Sequence, residues 1–190
     1  PMSARRQRQM CIRDRVEDGA QVQNFEIRAD QYEADRHFFL SDFFRNNYER
    51  SLSQMPNILS QATVEELEVW ITNRNNATQN VRDVVAFMDM GEISPYSSDI
   101  QAIGNNTVPD NGANDLYSRL TVNVDYRRND QIINVLQSGA FDLNASTDYE
   151  KFYARKLNPS EYTLEPNLGY ISLNTTLQPN QVLAVAYKYN

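Results

Sequence analysis

Cysteine is nearly absent from the chain. Of 190 residues one is a cysteine, Cys11, close to the start. The body of the chain can therefore form no internal disulfide and no cysteine-based zinc site. That poverty fits an extracytoplasmic bacterial protein that does without disulfides. Histidine is as scarce, with His37 alone, so a histidine-rich metal site and any two-histidine mechanism are excluded. A serine nucleophile would need His37 beside it, and no G-x-S-x-G elbow occurs. Neither a G-x-G-x-x-G loop nor a phosphate-cradling glycine and lysine motif is present. No apolar run approaches the roughly 20 residues of a transmembrane helix, and no signal-peptide core follows the N-terminal arginines.

Basic charge is also in short supply. Lys and Arg number 18 against 25 Asp and Glu, a net charge of -7. Residues 1–15 hold five arginines against one aspartate, or +4, so the remainder carries -11. An acidic body without a basic stripe argues against nucleic acid and against an electrostatically held membrane surface. The leader 1–15 has no apolar periodicity and is expected to lie outside the fold, as a disordered or non-native segment. Residues 16–190 are long enough for a single α+β module with a real core.

What is present centres on Val64 to Glu92. Leu67, Val69 and Ile71 alternate with Glu66, Glu68, Trp70 and Thr72, the period of a half-buried strand. Val81 to Met90 is apolar on both faces, which suits a central strand or a short buried helix capped by Thr78. A strand is favoured, because the Asn-rich loop Asn73 to Asn80 would pair the two runs as a hairpin ended by Gly91. Upstream, Gln23 to Ala29 reads as a short strand. Asp30 and Glu33 then have the form of a capping box opening one long amphipathic helix to Ser53, with Leu40, Phe44, Tyr48 and Leu52 as its core stripe and Phe43 beside them. His37 at the start of that helix reads as structural, and Pro56 prevents its easy continuation.

Residues 94–114 form a long polar linker. Asp110, Asn111 and Asp115 lack the spacing of an EF-hand, and no metal or cofactor is expected. One or two short helices should follow, at Asp115 to Leu120 and beyond Asp130 to Gly139, with Thr121 to Tyr126 as a short strand between them. Phe141 to Asn144, Tyr149 to Leu157, Tyr162 to Leu164, Tyr170 to Leu173 and Val182 to Tyr189 then read as the strands of an antiparallel meander. Its last strand has an apolar face that must meet another layer.

The candidate binding residues are Glu66, Glu68 and Trp70, which share one face of the first strand. A carboxylate pair has the residue types for glycoside hydrolysis, but a solvated face is the commoner role. The indole could stack on a sugar or a partner chain, or cover a second core layer. No catalytic residue is assigned.

The order EVWITN, VRDVVAFMDMGE, DYEKFYARKLNPSEYTLEPNLGYISLNTTLQPNQVLAVAYKY, preceded by ADQYEADRHFFLSDFFRNNYERSLSQMPNI, resembles the SprA/Sov family, the outer-membrane translocon of the type IX secretion system in Bacteroidetes. The resemblance covers residues 16–190 apart from the linker. It implies a very large transmembrane β-barrel through which folded cargo leaves the cell, needed also for gliding motility in motile members. This chain would be a small part of it, a non-enzymatic soluble insertion or cap without a membrane span of its own, on the periplasmic or the extracellular side. Its implied partners are the remainder of the barrel, other secretion-system proteins and secreted cargo. The alternative function is a surface carbohydrate-binding or adhesin module.

Overall fold

Most of the alternating apolar runs become strands, and all pairings between these strands are antiparallel. A computed structural model describes residues 33–128 and 130–190; the strand expected at Gln23 to Ala29, Asp30 at the start of the expected helix and the leader lie outside them. The elements, in chain order, are β1 (His37–Phe39), α1 (Asp42–Ser51), β2 (Val64–Thr72), β3 (Val81–Phe87), α2 (Leu116–Thr121), a 3-10 turn (Val124–Arg127), α3 (Ile132–Leu136), β4 (Tyr149–Lys156), a 3-10 turn (Pro159–Glu161), β5 (Tyr162–Glu165), β6 (Tyr170–Leu173) and β7 (Leu183–Tyr189). The class is α+β, mostly antiparallel sheet with a few short helices. Residues Ala34–Asn190 form one unit.

Two sheets organise it. The larger has the strand order β3-β4-β2-β7 and the smaller β1-β6-β5. On β2 the aliphatic face points inward as its period of two requires: Val69 is fully buried and Leu67 and Ile71 pack around it. From β7, Leu183, Val185, Tyr187 and Tyr189 join the same core, which Leu40, Phe43 and Phe44 close from above together with Ile171 and Leu173 of β6. The apolar face of the last strand thus meets α1 and the small sheet. At the β3–β4 end, Val85, Phe87 and Tyr149 enter a second core with Leu116 and Leu120 of α2, Ile132 and Leu136 of α3, and Phe141 and Leu143.

Several expectations are corrected. The helix begins at Asp42, and His37–Phe39, expected inside it, is a strand paired with β6 through Phe38 opposite Ile171. Ser41 has an extended backbone (φ -158°, ψ 167°), which separates strand from helix, and the aromatic pair Phe38-Phe39 suits a pleated surface as well as a helix face. Of the stripe, Phe44 with Phe43 is buried on α1, whereas Leu40 precedes the helix and reaches the same core from the turn. Strand β3 is a strand, as favoured, but it does not form a hairpin with β2: β4 lies between them, pairing Arg155 with both Ile71 and Val81. The loop Asn73 to Asn80 is long enough to step over β4, a span of two strand spacings or about 10 Å. The expected meander is divided for the same reason, since β4 and β7 flank β2 while β5 and β6 join β1.

Thr121 to Tyr126 is helical rather than extended: Thr121 ends α2, and the Asn123 side chain accepts the Asp125 amide to start a 3-10 turn. Gln131, not Asp130, occupies the N-cap position of α3. Phe141 to Asn144 is not a strand; its turn buries Phe141 and Leu143.

The polar stretch 94–114 is a built loop rather than a bare linker. Asn114 is fully buried, and its Nδ2 donates to the carbonyls of Asp89 (2.7 Å) and Glu92 (2.9 Å) while Oδ1 accepts the Leu116 amide (3.1 Å). The Asp89 carboxylate, also buried, takes the amides of Tyr96 and Ser97, each at 2.9 Å. Buried polar groups satisfied in this way hold an irregular backbone in one conformation.

Candidate binding face

Because successive side chains of a strand alternate, the residues that do not enter the inner core emerge together on the opposite face of the large sheet. From β2 these are Glu66, Glu68 and Trp70. Register adds the rest: Glu66 lies opposite Lys188 of β7, Trp70 opposite Ala184 of β7 and Lys156 of β4, Arg82 of β3 opposite Ala154 of β4. The centre of this face is apolar, with Trp70, Phe152 and Ala154 buried and Val84, Ala86, Val182 and Ala184 packed against them. All of these residues belong to the large sheet's own strands or to the residue that leads into β7. Among the described residues, then, the cluster on this face is built without a helix or a second sheet.

Charged side chains close over that centre. The Arg82 guanidinium carbon sits 4.2 Å from the centroid of the Trp70 ring, and Lys156 Nζ lies 5.8 Å from it. Lys156 Nζ also meets Glu68 Oε1 at 2.5 Å, and Trp70 Nε1 donates to Glu68 Oε2 at 3.3 Å. The lysine, through this hydrogen bond, lowers the Glu68 carboxyl from its ordinary value. A carboxyl held ionised by a lysine is a poor general acid. Further out, Lys188 Nζ reaches Glu66 at 3.5 Å and Glu65 at 3.9 Å.

The three sequence-predicted residues are thus brought to one face, but in different roles. Glu66 is exposed and paired at the rim, Glu68 is the acceptor that holds both Lys156 and the indole N–H, and Trp70 is 5% exposed beneath Arg82. The indole is a covered centre of the face, not an open stacking platform. Arg82, Lys156 and Lys188 are the residues that sequence reasoning missed. Their signal is cross-strand position, which becomes readable for Arg82 and Lys156 once β4 is placed between β2 and β3, and for Lys188 once β7 is paired with β2.

His37 does have a serine beside it. Its Nδ1 is 2.8 Å from Ser172 Oγ across the β1–β6 pairing, in a solvent-exposed position. Two small concavities lie elsewhere: one of about 160 Å³ between α1 and the residues Leu59, Ser60 and Leu168, the other of about 120 Å³ beside Arg74, Arg155 and Glu161. Among the described residues no group of three or more His, Cys, Asp or Glu is placed to hold a metal ion. No helix of theirs is long and apolar enough to cross a membrane.

Residues 2–178 match the SprA_N family, described as motility related/secretion protein. The chain belongs to this family. The matched span takes in the basic stretch at the start, the built loop 94–114 and every strand from β1 to β6, while β7 lies beyond it. No curated protein matches the chain. Membership of SprA_N makes this a motility- and secretion-related protein.

Proposed function

We propose that this SprA_N chain is a non-enzymatic contact module, an insertion or cap, of the outer-membrane translocon of the type IX secretion system, serving protein export and gliding motility in Bacteroidetes. Its partners are the remainder of the barrel, other secretion-system proteins and the exported cargo. It works outside the cytoplasm and needs no cofactor. The observation that carries the reading is the large sheet's outer face, which combines an apolar centre with a rim of paired charges. Such a face suits protein contact, in which the half-buried Val84, Ala86 and Ala184 around the covered indole supply apolar area and the charged rim sets encounter and orientation. The carbohydrate-binding alternative leaned on an open indole, and Trp70 lies beneath Arg82 and Lys156.

The test must leave the core intact, so it uses exposed positions. Ala186 and Lys188 of β7 and Glu66 of β2 are exposed on this face. Cells carrying Ala186→Arg with Glu66→Arg should lose export of a type IX cargo, while the purified variant keeps the circular dichroism of the parent. Normal export by a folded variant removes this face from the function. Turnover of a glycan by the unaltered chain would overturn the non-enzymatic reading itself.

A further inference from the structure

Glu92 occupies an unusual position. It is 9% exposed, belongs to the built loop, and its Oε1 accepts the backbone amide of Asp42, the first residue of α1, at 3.2 Å. The residue placed to cap that helix, Ser41, does not do so: its side chain makes no cap hydrogen bond, and its hydroxyl is directed to Tyr187 of β7 instead. A carboxyl from another segment thus supplies the acceptor that the local serine leaves unmade. The groups that face Glu92 are mostly acidic. They are Asp42 of α1, with Arg45 at 3.9 Å from the Asp42 carboxylate, Asp89 of its own loop, Tyr96, whose hydroxyl is directed to Asp42, and Tyr187 of β7. None of the ion pairs formed by the described residues includes Glu92.

The loop that carries Glu92 is fastened at three other places. Asp89 and Asn114 hold its two ends, the Asp110 amide donates to the Gly91 carbonyl at 3.0 Å, and the Tyr189 hydroxyl donates to the Pro109 carbonyl. Gly91 has φ +74°, and a Cβ there would stand 3.3 Å from the Asp110 carbonyl oxygen, so the close approach needs a glycine. Loop and helix are each firm, and Glu92 is a hydrogen-bonded latch between them.

We propose that Glu92 is a proton-operated latch, which holds the 88–115 loop against the N-terminus of α1 while it is protonated and loosens that docking when it ionises. The ionised form has favourable company in the Asp42 amide and the positive end of the α1 dipole. Against it stand burial and the neighbouring Asp42 and Asp89. Burial, the larger effect, followed by those carboxylates, lifts the Glu92 carboxyl from 4.5 to about 7. Since the folded value lies above the unfolded one, the stabilising contribution is complete below pH 4.5 and is lost as pH rises through about 7. Tyr187, pushed up to about 12 chiefly by burial, keeps its proton throughout this window.

The experiment is amide hydrogen exchange on the full chain at about pH 5.5 and about pH 8, with rates corrected for intrinsic pH dependence. The reporters are Asp110 and Ile103, whose amides are bonded to Gly91 and Ala113. Their protection should fall by about tenfold or more at the higher pH in the parent, and by less than about twofold in Glu92→Gln, which keeps the acceptor without the charge. Equal falls in parent and variant, or no fall in the parent, would overturn the latch. Should Glu92→Gln not fold, the carboxyl carbon of Glu92 can be titrated by NMR in the parent. A midpoint near 7 supports the proposal and one below about 5 ends it.

Discussion

Gly169 shows how tightly single positions are specified here. Its φ is +61°, and a Cβ built on it would lie 2.1 Å from two carbons of the Phe44 ring. The ring occupies the space that any other residue's side chain would need. Gly169→Ala should therefore combine backbone strain with a clash against a buried aromatic, costing on the order of 2 to 4 kcal/mol in chemical denaturation. Asn114 is a comparable case made of hydrogen bonds. Asn114→Ala leaves the Glu92 carbonyl and the Leu116 amide without this partner, while the Asp89 carbonyl keeps only the Glu92 amide. A loss of about 2 to 4 kcal/mol is expected from buried groups left unpaired. A loss under about 0.5 kcal/mol would mean that water replaces the side chain. Neither residue announced its role in the sequence. Asn114 stands in a run of Ser, Asn, Asp and Gly that composition marks as loop, and composition does not separate the one buried amide from the solvated ones around it.

At the scale of elements, what the sequence made legible follows the range over which each signal acts. Strand β2 was readable from its own alternation, and β4, β6 and β7 were readable from theirs to within a residue or so at their ends. Partner choice was not. The β2–β3 hairpin failed because Leu67, Val69 and Ile71 find the same inward face whether β3 or β4 lies beside them, so patterning fixes the face and leaves the neighbour open. The helix boundary failed for a related reason: the stripe of Leu40, Phe44, Tyr48 and Leu52 was carried on a helix begun at Asp30, although His37 to Phe39 form β1 and Leu40 precedes the helix. Similarly, the candidate face was legible as three residues of β2 and illegible as a cluster, since Arg82 and Lys156 come from strands whose places depend on that same partner choice. The docking of α1 gives a direct test. Phe44 is buried in the core that contains Val69, with an edge-on contact to Tyr187 at a 6.1 Å centroid distance, while Val85 of the same sheet belongs to the other core. Phe44→Ala should cost about 3 to 5 kcal/mol. A loss below about 1 kcal/mol would mean that α1 is held by its termini rather than by its buried face.

Over the whole molecule, the question is whether two hydrophobic cores make one cooperative unit. The cores lie along a single face of the large sheet, one under α1 and the small sheet, the other under α2 and α3. Strand β4 joins them physically: Tyr149 is buried in the second core, while Arg155, near the other end, pairs with Ile71, which packs against the first. Losing either core would strip one side of a strand that the other core needs, so unfolding should be all-or-none. The one tryptophan, Trp70, supplies the probe, because it sits on the opposite face and belongs to neither of these two core clusters. Its fluorescence and the far-ultraviolet circular dichroism should change together along a urea titration. Leu136→Ala, in the α3 core and far along the chain from Trp70, should move both curves to lower urea by the same amount, equivalent to about 2 to 5 kcal/mol. A fluorescence curve that stays in place while the dichroism shifts would show instead that the helical core melts by itself, and that the sheet carrying the candidate binding face stands without it.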